Sequence, residues 1–137
     1  AGSERVLELH GNWSRLTCTG CGEHFTLDDV DSARSGAVPR CPACASVLRP
    51  DIVFYGEMLD NDVIVNAVRA ISEADLLIVA GTSLVVYPAA GLIDYYAGER
   101  LVLMNATPTP YDSRADLIIR EPVGQVFQEL ERLRRQP

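Results

Sequence analysis

Four cysteines constrain this 137-residue chain more than any other feature. Cys18 and Cys21 form C-T-G-C, a spacer of nineteen residues follows, and Cys41 and Cys44 form C-P-A-C. Two residues between thiols let both sulfurs point at one ion from a tight turn, and two such knuckles complete a tetrahedral thiolate zinc site. Gly20, Gly22 and Pro42 suit those turns. All four ligands would come from protein, so the expected metal is a single structural zinc with no open position for a substrate. Two disulfides in a secreted protein, or a redox-active C-x-x-C pair, are the other readings of the same residues. Cysteines kept as thiolates point to a reducing compartment, hence the cytoplasm.

Composition narrows the function classes. Hydrophobic residues make up 47% and charged residues 23%, which is globular and argues against disorder over the whole length. The net charge of -7 disfavours nucleic acid as a partner, because phosphate neutralisation needs a basic face. All twelve basic residues are Arg, so no lysine of this chain can form a Schiff base. No apolar run reaches the ~18–20 residues of a membrane span. The opening AGSERVLELH shows no basic n-region or apolar h-region of a signal peptide. Neither a membrane nor a nucleic acid is expected as a partner.

Three segments follow from the patterning: 1–12, a short strand and His10; 13–48, the polar, turn-rich cysteine module held together largely by metal; and 49–137, where apolar runs alternate with helical patterns. The runs are Asp51–Tyr55 (DIVFY), Asp75–Ala80 (DLLIVA), Arg100–Met104 (RLVLM) and Asp116–Ile119 (DLII), with Arg5–Leu9 (RVLEL) as a further strand. Short continuous apolar runs predict strands buried on both faces, as in a parallel sheet. Asp60 predicts the cap of a helix that carries Val63, Ile64, Ala67, Val68 and Ile71 on one face. A second helix is predicted from Pro88 to about Ala97, and a third from Pro122 with Val123, Val126, Phe127, Leu130 and Leu133 in one stripe. The alternation implies an α/β fold, part of a doubly wound, Rossmann-like parallel sheet with an inserted four-cysteine zinc module.

In such sheets ligands bind beyond the carboxyl ends of the strands. There the sequence places Gly56-Glu57, Gly81-Thr82-Ser83, Asn105-Ala106-Thr107, Val123 and, after RVLEL, His10-Gly11. Small, hydrogen-bonding residues suit a nucleotide pocket, although Gly-Thr-Ser after a strand also serves as a plain turn. His10 reads either as a base or as a histidine hydrogen-bonded at a strand end. The absent Cβ of Gly11 is expected to leave room beside His10 for a ribose.

Taken in order, VLELHG, the four-cysteine module, RPDIVFYGE, GTSLVVYP and MNA resemble the sirtuins, NAD-dependent protein lysine deacylases, of the compact bacterial type, over essentially all of the chain. The resemblance implies His10 as catalytic base. It implies Gly81, Thr82, Ser83, Asn105, Ala106, Thr107 and Val123 as NAD contacts. Val53, Phe54, Gly56 and Glu57 would line the acyl-lysine tunnel on one side of the substrate peptide, and Leu84, Val85 and Val86 would pair with its other side as an added strand. NAD would be a consumed co-substrate and an acylated-lysine protein or peptide the partner. The products would be free lysine, nicotinamide and O-acyl-ADP-ribose, the acetyl group being the default. His10 would accept a proton from a ribose hydroxyl that then attacks the activated acyl carbon.

The family's Gly-Ala-Gly phosphate loop, Pro-Asp-Phe-Arg and Gln-Asn-Ile-Asp segments have no match here. The resemblance therefore implies a carboxy-terminal portion, inactive alone, whose partner is the missing amino-terminal half of the same domain. The alternatives are a non-catalytic nucleotide-binding domain and a stand-alone zinc-ribbon binding module.

Overall fold

The structure, a computed structural model, describes residues 2–30 and 36–136. The chain divides into two compact units, residues 1–64 and 65–137.

The first unit is built on a three-stranded antiparallel sheet in the order β2-β1-β3. Its strands are β1 (Gly11–Cys18), β2 (His24–Thr26) and β3 (Leu48–Ile52). Leu16 faces Phe25 of β2, and Cys18 faces Leu48 of β3. The β1–β3 register shifts between Asn12 and Leu16, with Asn12 opposite Asp51 but Leu16 opposite Pro50. Pro50 has no N–H to give, which an edge strand tolerates. The Asn12 side chain holds the shift: its Oδ1 accepts from the Ser14 backbone N–H at 2.9 Å and from the Ser14 hydroxyl at 2.7 Å. The core is small: Leu16, Cys18, Val30, Cys41 and Leu48, with Phe25 and Leu27 against it. Two of its five buried residues are cysteines, so little apolar area is available to hold this sheet without help.

Two expected strands differ here. Residues 5–9 form no strand. The Gly11 N–H bonds the Glu8 carbonyl at 2.9 Å and turns the chain, and Val6 and Leu7 stay exposed. The DIVFY run becomes β3 three residues earlier, and it pairs with β1 rather than joining a parallel sheet. A continuous apolar run was a misleading sign of two-sided burial: Phe54 is half exposed and Tyr55 fully so.

The second unit holds the parallel sheet β4-β5-β6, formed by Leu77–Ala80, Leu101–Met104 and Leu117–Ile119. Ala80 lies beside Met104, and Met104 beside Ile119. Central β5 is the most buried strand, with Leu103 at 1% exposure. Leu84, Ala90, Ile93, Tyr96, Leu101, Leu103 and Tyr111 form the core. This sheet, with its helices and the cysteine module earlier in the chain, bears out the α/β expectation.

The division between the units falls within helix α1 (Asn61–Ser72). Asp60 caps it as expected, its Oδ1 accepting from the N–H groups of Asp62 and Val63 at 2.8 and 3.1 Å. The helix expected from Pro88 is instead a 3-10 segment, Ala89–Tyr95. Its buried residues and the one that follows, Ala90, Ile93 and Tyr96, recur every three positions. That period lines up in a 3-10 helix and drifts in an α-helix. Helix α2 spans Val123–Arg134, with Pro122 just before it. Of its expected stripe, Val123 and Val126 are half buried, whereas Phe127, Leu130 and Leu133 are each about half exposed.

Gly11 has φ +76°, and a Cβ there would stand 1.9 Å from the Asp51 carbonyl oxygen. The missing Cβ thus makes room for strand β3, not for the ribose expected from the sequence. Gly22 has the same φ with nothing within 4 Å. Gly22→Ala is therefore expected to cost only the left-handed penalty, about 1–2 kcal/mol. Gly11→Ala adds a backbone clash and is expected to cost at least ~2 kcal/mol more. Equal denaturation midpoints for the two variants would remove the close approach from the account.

Candidate functional site

The four cysteines converge in the first unit. Their sulfurs all lie within 4.8 Å of one another. The nearest pairs are Cys18–Cys44 at 3.4 Å and Cys21–Cys41 at 3.7 Å. All four are free thiols, and these spacings far exceed the ~2.05 Å of a disulfide. They are close to the ~3.8 Å edge of a tetrahedron with Zn–S bonds of ~2.3 Å.

The two knuckles repeat one backbone plan. Gly22 N–H bonds the Cys18 carbonyl at 3.0 Å, and Ala45 N–H bonds the Cys41 carbonyl at 2.8 Å. Both fourth residues have positive φ, +76° at Gly22 and +59° at Ala45. The Gly20 and Cys21 N–H groups, each 3.4 Å from the Cys18 sulfur, face it as donors. The Ser46 hydroxyl and backbone N–H pull the Cys44 thiol down to about 6. Cys21 behaves oppositely. Its sulfur accepts from the Glu23 backbone, yet the Cys18 thiol, burial and the other two thiols push it up to about 12. Four thiolates so close cannot all carry charge unless a cation neutralises them, which is the chemistry a divalent metal supplies.

The same unit joins His10 to the loop after β3. The Val53 N–H donates to the His10 carbonyl at 3.0 Å, extending the β1–β3 pairing past Gly11 and Ile52. Beyond Val53 the chain reverses. Glu57 N–H bonds the Phe54 carbonyl at 3.0 Å, and the Glu57 carboxylate accepts from Phe54 N–H at 3.0 Å. Arg49 on β3 locks this turn. Its guanidinium pairs with Glu57, reaches the Ile52 carbonyl at 3.3 Å and lies 5.0 Å over the Phe54 ring. The Phe54 N–H and Arg49 hold the Glu57 carboxyl below its usual range. Arg49 was missed by sequence reasoning, the Arg-Pro pair ahead of the run being its one available sign.

The second unit gathers the remaining candidates at one edge of its sheet. Gly81–Ser83 follow β4, Asn105–Thr107 follow β5, and Val123 opens α2 after β6. Gly81 N–H bonds the Met104 carbonyl at 2.9 Å, and Asn105 N–H bonds the Ile119 carbonyl at 3.1 Å. A Cβ on Gly81 would meet Val123 Cγ2 at 3.9 Å. Gly81, Asn105 and Val123 therefore border one small area beyond the carboxyl ends of three parallel strands, where such sheets bind ligands. The Thr82 hydroxyl accepts from Leu84 N–H at 3.3 Å. Leu84 departs from the strand-like segment expected at 84–86. It has φ +54°, no strand forms there, and its side chain is in the core. Val85 and Val86 are exposed.

Comparison with known proteins identifies the family. The Sir2 family model matches residues 1–88. The NAD-dependent protein deacetylase of Clostridium acetobutylicum is 50% identical over 128 residues, covering 93% of this chain and 52% of the relative. That of Staphylococcus aureus strain Mu50 is 45% identical over 130 residues, covering 95% and 52%. A solved structure described as Sir2-p53 peptide-NAD+ superposes with a TM-score of 0.82 at 41% identity, covering 94% of this chain and 55% of that one. One described as Sir2 bound to acetylated peptide gives 0.82 at 40%, covering 94% and 56%. The chain spans about half the length of the curated relatives it matches. With its family model matched over the first 88 residues and its fold shared with these structures, the chain belongs to the Sir2 family.

Proposed function

We propose that this chain serves an NAD-dependent protein lysine deacylase, acetyl-lysine being the default substrate. The observation that carries the reading is the backbone bond from Val53 to His10. It ties His10, the residue before β1, to the loop Val53–Glu57, which is turned outward and braced by Arg49. In this reading Val53, Phe54, Gly56 and Glu57 are the acyl-lysine contacts of the first unit, and Leu84, Val85 and Val86 are peptide contacts of the second. Gly81–Ser83, Asn105–Thr107 and Val123 receive the adenosine side of NAD. The rest of the NAD site is taken to come from the remainder of the domain.

His10 then has a defined task. NAD supplies a ribose whose nicotinamide is displaced by the acyl oxygen. The imidazole accepts a proton from a ribose hydroxyl, so that this oxygen can attack the acyl carbon. Cys18, Cys21, Cys41 and Cys44 hold a zinc with all four positions filled, which supplies folding energy and no chemistry. Thiols kept for a metal fit the cytosol. Among the described residues no helix is long and apolar enough to cross a membrane.

The zinc is testable by its pH dependence. Zinc needs its ligands deprotonated, so protons compete with the metal and binding weakens as pH falls. One zinc per chain is expected at neutral pH, with release on acidification, followed by a chromogenic chelator. Cys41→Ala is expected to lose the metal and open residues 13–48 to protease. Full zinc stoichiometry in all four single Cys→Ala variants would refute the site.

His10→Ala in the full-length protein is expected to keep the fold, the zinc and most adenosine-side affinity while lowering turnover by ~10²–10⁴. Deacetylation within a few-fold of wild type, measured on an acetyl-lysine peptide, would remove His10 from the mechanism.

A further inference from the structure

The exit of β5 raises a physical problem. Residues Asn105–Pro110 read N-A-T-P-T-P, so two of six positions lack an N–H, and the loop cannot bond itself into one shape through its backbone. The Asn105 side chain satisfies part of it, donating to the Thr107 carbonyl at 2.9 Å and the Thr107 hydroxyl at 3.2 Å. The remainder is held from outside. Arg120, one residue past β6, donates through one nitrogen to the Asn105 carbonyl at 3.0 Å and the Thr107 carbonyl at 2.9 Å. Through its other terminal nitrogen it pairs with the Asp112 carboxylate. The other Asp112 oxygen accepts from the Thr109 hydroxyl at 2.8 Å and the Thr109 N–H at 3.1 Å, and Thr109 is itself buried. One guanidinium therefore grips both ends of the loop.

We propose that Arg120 is a positioning residue for nucleotide binding, holding Asn105–Thr107 in the shape that receives the adenosine ribose. The inference rests on the NAD reading above and goes beyond it, since it assigns a role to Arg120, which is not among the NAD contacts named there. Arg120 acts through the loop: both its terminal nitrogens are engaged, with Asn105, Thr107 and Asp112, and the loop meets the ligand. The Arg120 and Asp112 side chains are 35% and 25% exposed, sheltered enough for a charge-assisted, two-pronged contact to hold its geometry. A lysine could keep the charge but not the planar fork that serves two carbonyls and a carboxylate together. With the Asn105 amide nitrogen engaged inside the loop, its Oδ1 is the group offered to a ribose hydroxyl.

The test is adenosine diphosphate ribose binding by calorimetry, with the full-length protein and its Arg120→Met, Arg120→Lys and Asp112→Asn variants. Arg120→Met is expected to weaken binding roughly tenfold or more. Arg120→Lys is expected not to restore it, and Asp112→Asn to weaken it in the same direction by less. Affinity for an acetyl-lysine peptide and zinc content are expected to stay within about twofold, which a general loss of structure would not allow. Should Arg120→Met fail to fold, Asp112→Asn and Arg120→Lys carry the test. Wild-type affinity in the folded Arg120 variants, or full rescue by lysine, overturns this inference and leaves the deacylase reading standing. A wild-type protein that binds no adenosine diphosphate ribose overturns both.

Discussion

Where Gly11 meets the Asp51 carbonyl, two backbones lie closer than any side chain would permit, and both functional ends of the first unit depend on that contact. On one side the β1–β3 pairing continues through Ile52 to the Val53–His10 bond, which brings the histidine to the outward loop. On the other side the same two strands run on to Cys18 beside Leu48, placing one knuckle of the metal site. A shift of β3 by one residue would turn its side chains to the opposite face. It would also take Val53 out of reach of the His10 carbonyl.

Much of this was legible from residues alone, and the failures have physical causes. The cysteine spacing foretold the convergence of four sulfurs, because ligand geometry tolerates few arrangements. Asp60 marked a helix start, and DLLIVA and RLVLM marked neighbouring parallel strands, because each is a local signal. DIVFY misled, because a short apolar run looks alike whether it is buried or turned outward. Residues 89–95 misled, because a core that recurs every third residue resembles a helix face over so short a span. Arg49 had only the Arg-Pro pair to mark it, because its partners follow in a turn with no regular pattern, and Arg120 had no local mark because Asn105 and Thr107 lie at the exit of the neighbouring strand.

The chain has twelve arginines and no lysine, and the structure uses the arginine shape repeatedly. Arg49 braces the turn at Glu57, and Arg120 braces the loop after β5. Arg114 reaches Asp94 and the Ile93 carbonyl and lies over Tyr111. At Arg49 and Arg114 a planar group combines an ion pair with a carbonyl and a ring face, and at Arg120 it serves two carbonyls and an ion pair; an ammonium could not span either set. The same guanidinium geometry that serves the core of the second unit thus also shapes the two loops offered to ligands.

The two knuckles also carry a consequence for how this module can vary. Each is closed by its own short backbone bond, Gly22 to Cys18 and Ala45 to Cys41, so each takes its shape from its own cysteine pair and the residue that follows it. Closing a longer chain between fixed ends is cheap, about 0.6 kcal/mol for each doubling in length. The spacer is not free throughout, since β2 pairs with β1 and Val30 lies in the core. Added length that spares Gly22, β2 and Val30 leaves the histidine and the substrate loop where β1 and β3 put them.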